Sequence, residues 1–138
     1  MKLLLWDLYV NDVLTKDIVL DCPETHTTMT GILAYSSITS IKLNEGFTSL
    51  AQTAFTECTA LSFIDLPSTI VSVANAFRGN AALTLICRAI APPSLTSTTL
   101  MNISVIYVPD ESVGAYQAAT NWSTFAAKIK PLSEYVES

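Results

Sequence analysis

The chain has 138 residues, half of them apolar and 14% charged, which is enough for one domain with a real core and too little for two enzyme-sized ones. That balance excludes a disordered segment. Its 7 basic and 12 acidic residues give a net charge of -5, with no electrostatic footprint for phosphate backbones or anionic lipid, so no nucleic-acid partner is expected.

In chain order, the stretch Met1 to Asp7 starts like a signal peptide, but Asp7 and Asp12 interrupt the apolar run and no small-residue cleavage site follows. No signal peptide is read, and neither end carries a lipidation signal. No window reaches the roughly 18 apolar residues of a transmembrane helix, so no membrane insertion is expected. Leu4, Trp6, Leu8 and Val10 alternate like a strand and Asn11-Asp12 reads as a turn, which predicts a hairpin cap.

From Ile38 onward the sequence repeats. Ile41 and Ile64, Leu43 and Leu66, Phe47 and Ile70, and Leu50 and Val73 are each 23 apart. Phe55 and Phe77, Cys58 and Asn80, and Leu61 and Leu83 are each 22 apart, so one residue is lost between Val73 and Ala76. The same step taken backward reaches Ile18-x-Leu20, Ile32 and Ile38, a degenerate earlier coil. Taken forward, Leu85-x-Cys87 and Ile106-x-Val108-Pro109 hold the strand positions of two more.

Each I-x-L step has the two-residue period of a short strand with one buried face, and a following Pro stops it. The spacings of three and four beyond it predict a helical turn or irregular arc. A unit of this length cannot bury its apolar face alone, so stacked neighbours must align their strands in a parallel ladder. Phe55 and Phe77 are expected to anchor that stack. Cys58 and Asn80 share a corner position, and Cys58 reads as structural. Three cysteines at spacings of 36 and 29 fit neither a full disulfide framework nor a C-x-x-C site, so buried thiols are expected. Charge collects at the ends, with residues 1–40 net -3 and 101–138 net -2, as open solenoid ends require.

Beyond the repeats, Asp110 after Pro109 reads as a helix N-cap, Glu111 suits the positive helix N-terminus, and Val113 and Tyr116 share one helical face. Trp122, Phe125 and Ile129 then cover the last coil. The predicted architecture is one continuous domain: an N-terminal cap and degenerate first coil over 1–37, repeats over 38–100, and a last strand with a helical cap over 101–138.

The repeat L-x-x-I-x-L-P-x-x-I-x-x-V with A-F-x-x-C/N-x-x-L resembles the BspA-like, or type 5, leucine-rich repeat. The tail adds to the likeness. Cys87-Arg88-Ala89, Pro92-Pro93-Ser94-Leu95, the run Ile106 to Tyr116 and Asn121-Trp122-Ser123 are similar to the C-terminal cap of such proteins in gut and oral anaerobes. The resemblance covers roughly residues 38 to 131. It implies a leucine-rich-repeat solenoid, α/β or mainly β, with short parallel strands stacked at a 22-23-residue period. It also implies adhesion or host-surface recognition at the cell surface.

No enzyme chemistry is framed by this sequence. His26, the only histidine, lies in a Thr-rich stretch, and no nucleophile signature surrounds any serine or cysteine. Asp110-Glu111 has the composition of an acid and base pair, but helix capping accounts for both residues. Asp17, Asp21 and Glu24 are the only dense acidic group and read as a solvated cap rather than a calcium site. With 4 glycines there is scarcely material for a phosphate loop. Asn102-Ile103-Ser104 and Asn121-Trp122-Ser123 match the glycosylation pattern by chance. No metal or cofactor is expected.

Recognition is what remains. If the I-x-L residues point inward, an outward row forms from Val19, Lys42, Asp65, Ile86 and Tyr107, preceded by a second row of Asp17, Ser40, Phe63, Thr84 and Val105. Phe63, Ile86, Val105 and Tyr107 then gather into an apolar patch, with Lys42 beside Asp65, and such patches mark partner sites. The expected function is a non-enzymatic interaction module that presents this strand face to a protein or glycan surface. The alternative is a structural virion component, a head or tail protein of a bacteriophage infecting gut anaerobes, bound to other subunits of a larger assembly. Family members carry many repeats behind an export signal, whereas two clear repeats and no signal are read here, which favours that alternative.

Overall fold

The computed structural model describes residues 9–10, 13–14, 17–22, 27–30, 35, 37–52, 54–74, 77, 79–96 and 102–135. Its strands are β1 (Tyr9–Val10), β2 (Val13–Leu14), β3 (Asp17–Leu20), β4 (Thr28–Met29), β5 (Ser40–Leu43), β6 (Ser49–Leu50), β7 (Phe63–Leu66), β8 (Ser72–Val73), β9 (Leu83–Cys87), β10 (Ser94–Leu95), β11 (Ile103–Val108) and β12 (Ile129–Pro131). Among the described residues the one α-helix is α1 (Val113–Ala118), so the fold is mainly β and repeat-like. β1 and β2 pair antiparallel, with Val10 opposite Val13, while the expected turn at Asn11-Asp12 lies outside the described residues. Leu4, Trp6 and Leu8 lie outside the described residues, as do Ile32, Ala76, Glu24 and His26.

Strands β3, β5, β7, β9, β11 and β12 form one parallel sheet in chain order. The register places Ile18, Ile41, Ile64, Leu85, Ile106 and Ile129 side by side. The inward members that follow the two-residue alternation are sealed: Ile41, Leu43, Ile64, Leu66, Leu85, Cys87, Ile106 and Val108 are all buried in one core. The sixth strand is a correction to the sequence reading, which assigned Ile129 only to a helical cover. After α1 and the 3-10 segment Trp122–Lys128 the chain returns to the sheet, and Ile129 is both strand and cover.

The arc after each strand also differs from expectation. In place of a helical turn or irregular arc, β4, β6, β8 and β10 form a second, four-stranded parallel sheet. Spacings of three, Phe47 to Leu50 and Ile70 to Val73, imitate a helix. The backbone, however, finds its partners in the neighbouring unit: Ala51 N–H donates to Met29 C=O at 2.9 Å and Ala74 N–H to Leu50 C=O at 3.2 Å. Each of these strands turns a hydroxyl outward (Thr28, Ser49, Ser72, Ser94) and an apolar residue inward (Met29, Leu50, Val73, Leu95).

Side chains repeat the same step. Asn44 Nδ2 donates to Asp21 Oδ1 at 2.8 Å, Ser68 Oγ to Glu45 at 2.8 Å, and Gly46 N–H to Thr69 Oγ1 at 3.0 Å, each pair 23 residues apart. Gly46 sits at φ +115°, and a Cβ there would come within 2.8 Å of Cys22 Cβ, so neighbouring units approach too closely for a larger residue. Phe55 and Phe77 stack inside with ring centroids 5.6 Å apart and planes 9° from parallel. Cys58 and Asn80 are both buried at the equivalent corner, where Asn80 Nδ2 donates to Phe55 C=O at 3.4 Å. All three cysteines are thiols.

The C-terminal segment seals the last unit through backbone carbonyls. Tyr116 Oη donates to Ala89 C=O at 2.6 Å, Trp122 Nε1 to Pro93 C=O at 2.7 Å, Lys128 Nζ to Ile103 C=O at 2.7 Å, and Asn121 Nδ2 to Leu95 C=O. The Tyr116 and Trp122 rings meet edge to face at 5.0 Å. Asp110 does not cap α1. It opens a 3-10 turn, Asp110–Ser112, with Pro109 at the cap position, and its Oδ1 accepts the Ser133 N–H at 3.0 Å. The reason is geometric: the tight turn points the carboxylate away from its own amides and toward the chain leaving β12.

Candidate interaction face

The register sets the outward row of the six-stranded sheet as Val19, Lys42, Asp65, Ile86, Tyr107 and Lys130. Its companion row is Asp17, Ser40, Phe63, Thr84 and Val105. The side chain of Asp17 lies outside the described residues. Both rows are composed as the alternation predicts, but accessibility along them is uneven. Val19 and Lys42 are exposed, whereas Ser40, Phe63, Thr84, Val105 and Tyr107 are half-buried.

Two members of the expected face are not accessible. Asp65 is only 4% exposed, because Arg88 from the next unit grips it with both nitrogens, Nε to Oδ1 at 2.7 Å and Nη2 to Oδ2 at 2.8 Å. Lys42 stands beside Asp65 in the register, yet the bidentate guanidinium takes the carboxylate. The bond to Asp65 raises the Arg88 pKa further. Ile86 is 1% exposed, although it is no member of the core cluster. It lies on the opposite face of the sheet, between Asp65 and Tyr107.

Tyr135, which sequence reasoning missed, packs on this face. Its ring lies 6.1 Å from that of Phe63 and 5.2 Å from that of Tyr107, the latter edge to face. Arg88 and Lys130 were missed as well. A signal for Lys130 existed: Ile129-x-Pro131 is 23 residues past Ile106-x-Val108, which makes the residue between them an outward strand position. Arg88 follows Cys87 directly and lies 23 residues past Asp65, the step that also links Asn44 to Asp21. Nothing local signals Tyr135.

The result is an aromatic cluster of Phe63, Tyr107 and Tyr135 flanked by exposed Lys42 and Lys130, with Arg88 held at its margin. Such a surface can bind by ring contact and by attraction to negative charge. The face holds no cysteine or histidine, and its one described carboxylate, Asp65, is engaged by Arg88. Cys87 is inward and inert: burial pushes its thiol up to about 11, and Tyr116 Oη lies 3.3 Å from its sulfur. Asp21 of the N-terminal acidic group is engaged by Asn44. Among the described residues no helix is long and apolar enough to cross a membrane. No family model matches the sequence, and no curated protein is significantly similar to it.

Proposed function

We propose that this chain is a short leucine-rich-repeat solenoid of the BspA-like type, and that it works as a non-enzymatic interaction module. It recognises a protein or glycan surface through the outward face of its six-stranded sheet. The solenoid reading draws support from neighbouring strands that follow chain order, run parallel and pair at steps of 21 to 23 residues, apart from an irregularity at Ile103 on β11.

The observation that carries the functional reading is the placement of half-buried Phe63, Val105 and Tyr107 on the outward face of the sheet, with Tyr135 packed on two of the rings and exposed Lys42 and Lys130 beside them. A sheet face that only needed solvation would carry polar residues there, as the second sheet does with Thr28, Ser49, Ser72 and Ser94. The paired substitution Phe63→Ser with Tyr107→Ser removes the rings without touching the core cluster. The altered protein is expected to fold and to lose attachment.

Immunogold labelling of the native culture, scored over envelope, cytosol and released particles, tests the setting. Envelope label supports a surface recognition module. Particle label turns the same face toward assembly within a virion. Label confined to the cytosol refutes recognition at either surface. Attachment of purified protein to the labelled structures, compared between wild type and the paired variant, tests the face itself.

A further inference from the structure

The outward face carries a segment of its own chain. After β12 the backbone makes a 3-10 turn, Leu132–Glu134, and brings Tyr135 back over the sheet. Phe63 and Tyr107 stand on β7 and β11 with β9 between them, so one phenol ring spans three strands. Ile86 of β9 lies in that span and is sealed from solvent.

The seat is shallow. Leu132 and Tyr135 are half-buried, while Ser133 and Glu134 are exposed. The turn is closed by Tyr135 N–H donating to Leu132 C=O at 2.9 Å, and clipped by the Ser133 N–H on the exposed carboxylate of Asp110. Ring contacts and an exposed hydrogen bond are among the contacts that hold this segment, whereas buried carbonyl bonds hold α1 and Trp122. Charge is complementary: Glu134 precedes the ring, and exposed Lys42 and Lys130 lie on the face, while the charge of Arg88 is matched by Asp65.

Resting on the reading of this face as a binding surface, we propose that Leu132–Tyr135 is an intramolecular ligand. The partner it stands in for is an acidic peptide segment carrying an aromatic residue. Such a partner presents the same ring to Phe63 and Tyr107 and the same negative charge to the surrounding cations, and it binds only when the strap lifts. A competing segment seated nine-tenths of the time weakens apparent affinity about tenfold, since the affinity scales with the open fraction.

The test uses a fluorescein-labelled peptide of residues 131–138 and fluorescence anisotropy against the full chain. Tyr135→Ser is expected to bind the peptide about ten times more tightly than wild type, with affinity falling as salt rises. Asp110→Asn, which loosens the clip from outside the face, is expected to shift affinity in the same direction by less. A control peptide with alanine in place of the tyrosine is expected not to bind. Equal affinity of wild type and Tyr135→Ser, or binding by neither when both melt alike, overturns the proposal. A concentration-dependent dimer that Tyr135→Ser abolishes overturns it too, by seating the segment on a second copy. Failure here leaves the binding face standing if Phe63→Ser with Tyr107→Ser still abolishes attachment to envelopes or particles. Attachment indifferent to that pair removes the face itself.

Discussion

Replacing Tyr116 by Phe deletes one oxygen and leaves the rest of the C-terminal packing in place. The ring is fully buried, meets Trp122 edge to face, and needs no rearrangement to remain there. What is lost is the hydroxyl donated to Ala89 C=O at 2.6 Å, together with its contact to Cys87 Sγ at 3.3 Å. Stranding a buried carbonyl costs about 1–3 kcal/mol, and the thiol contact adds little because sulfur is a weak partner. A loss of about 2 kcal/mol in a chain of this size lowers Tm by roughly 6–10 °C. Thermal unfolding followed by circular dichroism, with urea titration for the free energy, measures it. A Tm within about 1 °C of wild type would refute the reasoning, because it would mean water satisfies Ala89 and that α1 is not sealed onto the preceding unit.

Other expectations follow the same logic. Phe55→Ala removes a fully buried ring stacked on Phe77 and is expected to destabilise the fold by about 3–5 kcal/mol. A double-mutant cycle with Phe77→Ala, read by urea unfolding, should return a coupling term of about 0.5–1.5 kcal/mol for the ring pair. Glu45 is held below its ordinary pKa, chiefly by the Ser68 hydroxyl. Its contribution is therefore full above the ordinary carboxylate pKa and lost as pH falls through the depressed one. Melting between pH 2 and 6 should show a shallower acid decline for Glu45→Gln than for wild type. Of the thiols, part-exposed Cys22 is expected to react with a disulfide reagent in the native state, while Cys58 and Cys87 react only after unfolding; early modification of Cys87 would contradict its burial.

Much of the fold was legible because its signals are local and repeated. An I-x-L step has the period of a strand with one buried face, and its recurrence at 22 to 23 residues predicts strands aligned in parallel, as the six-stranded sheet has them. The inward residues and the anchoring phenylalanines followed from that. The second sheet was misread because two-residue strands carry too little alternation to outvote a spacing of three. Asp110 was misread for a related reason: cap preference describes a helix start, and the turn here is a 3-10 turn whose carboxylate finds a distant amide.

The candidate face divides along the same line. Alternation alone determined that Lys42, Phe63, Asp65, Ile86, Val105 and Tyr107 share the outward side of the sheet, since successive side chains of a strand must point to opposite faces. Only the tertiary structure decided which of them meet solvent. Asp65 is closed by an arginine one unit away, and Ile86 is sealed on the strand between Phe63 and Tyr107, the two rings met by a tyrosine that reaches the face after a sixth strand and a turn. Which face a residue takes is a property of its own strand, but its exposure depends on what the rest of the chain lays over that face, and no local pattern encodes that contact.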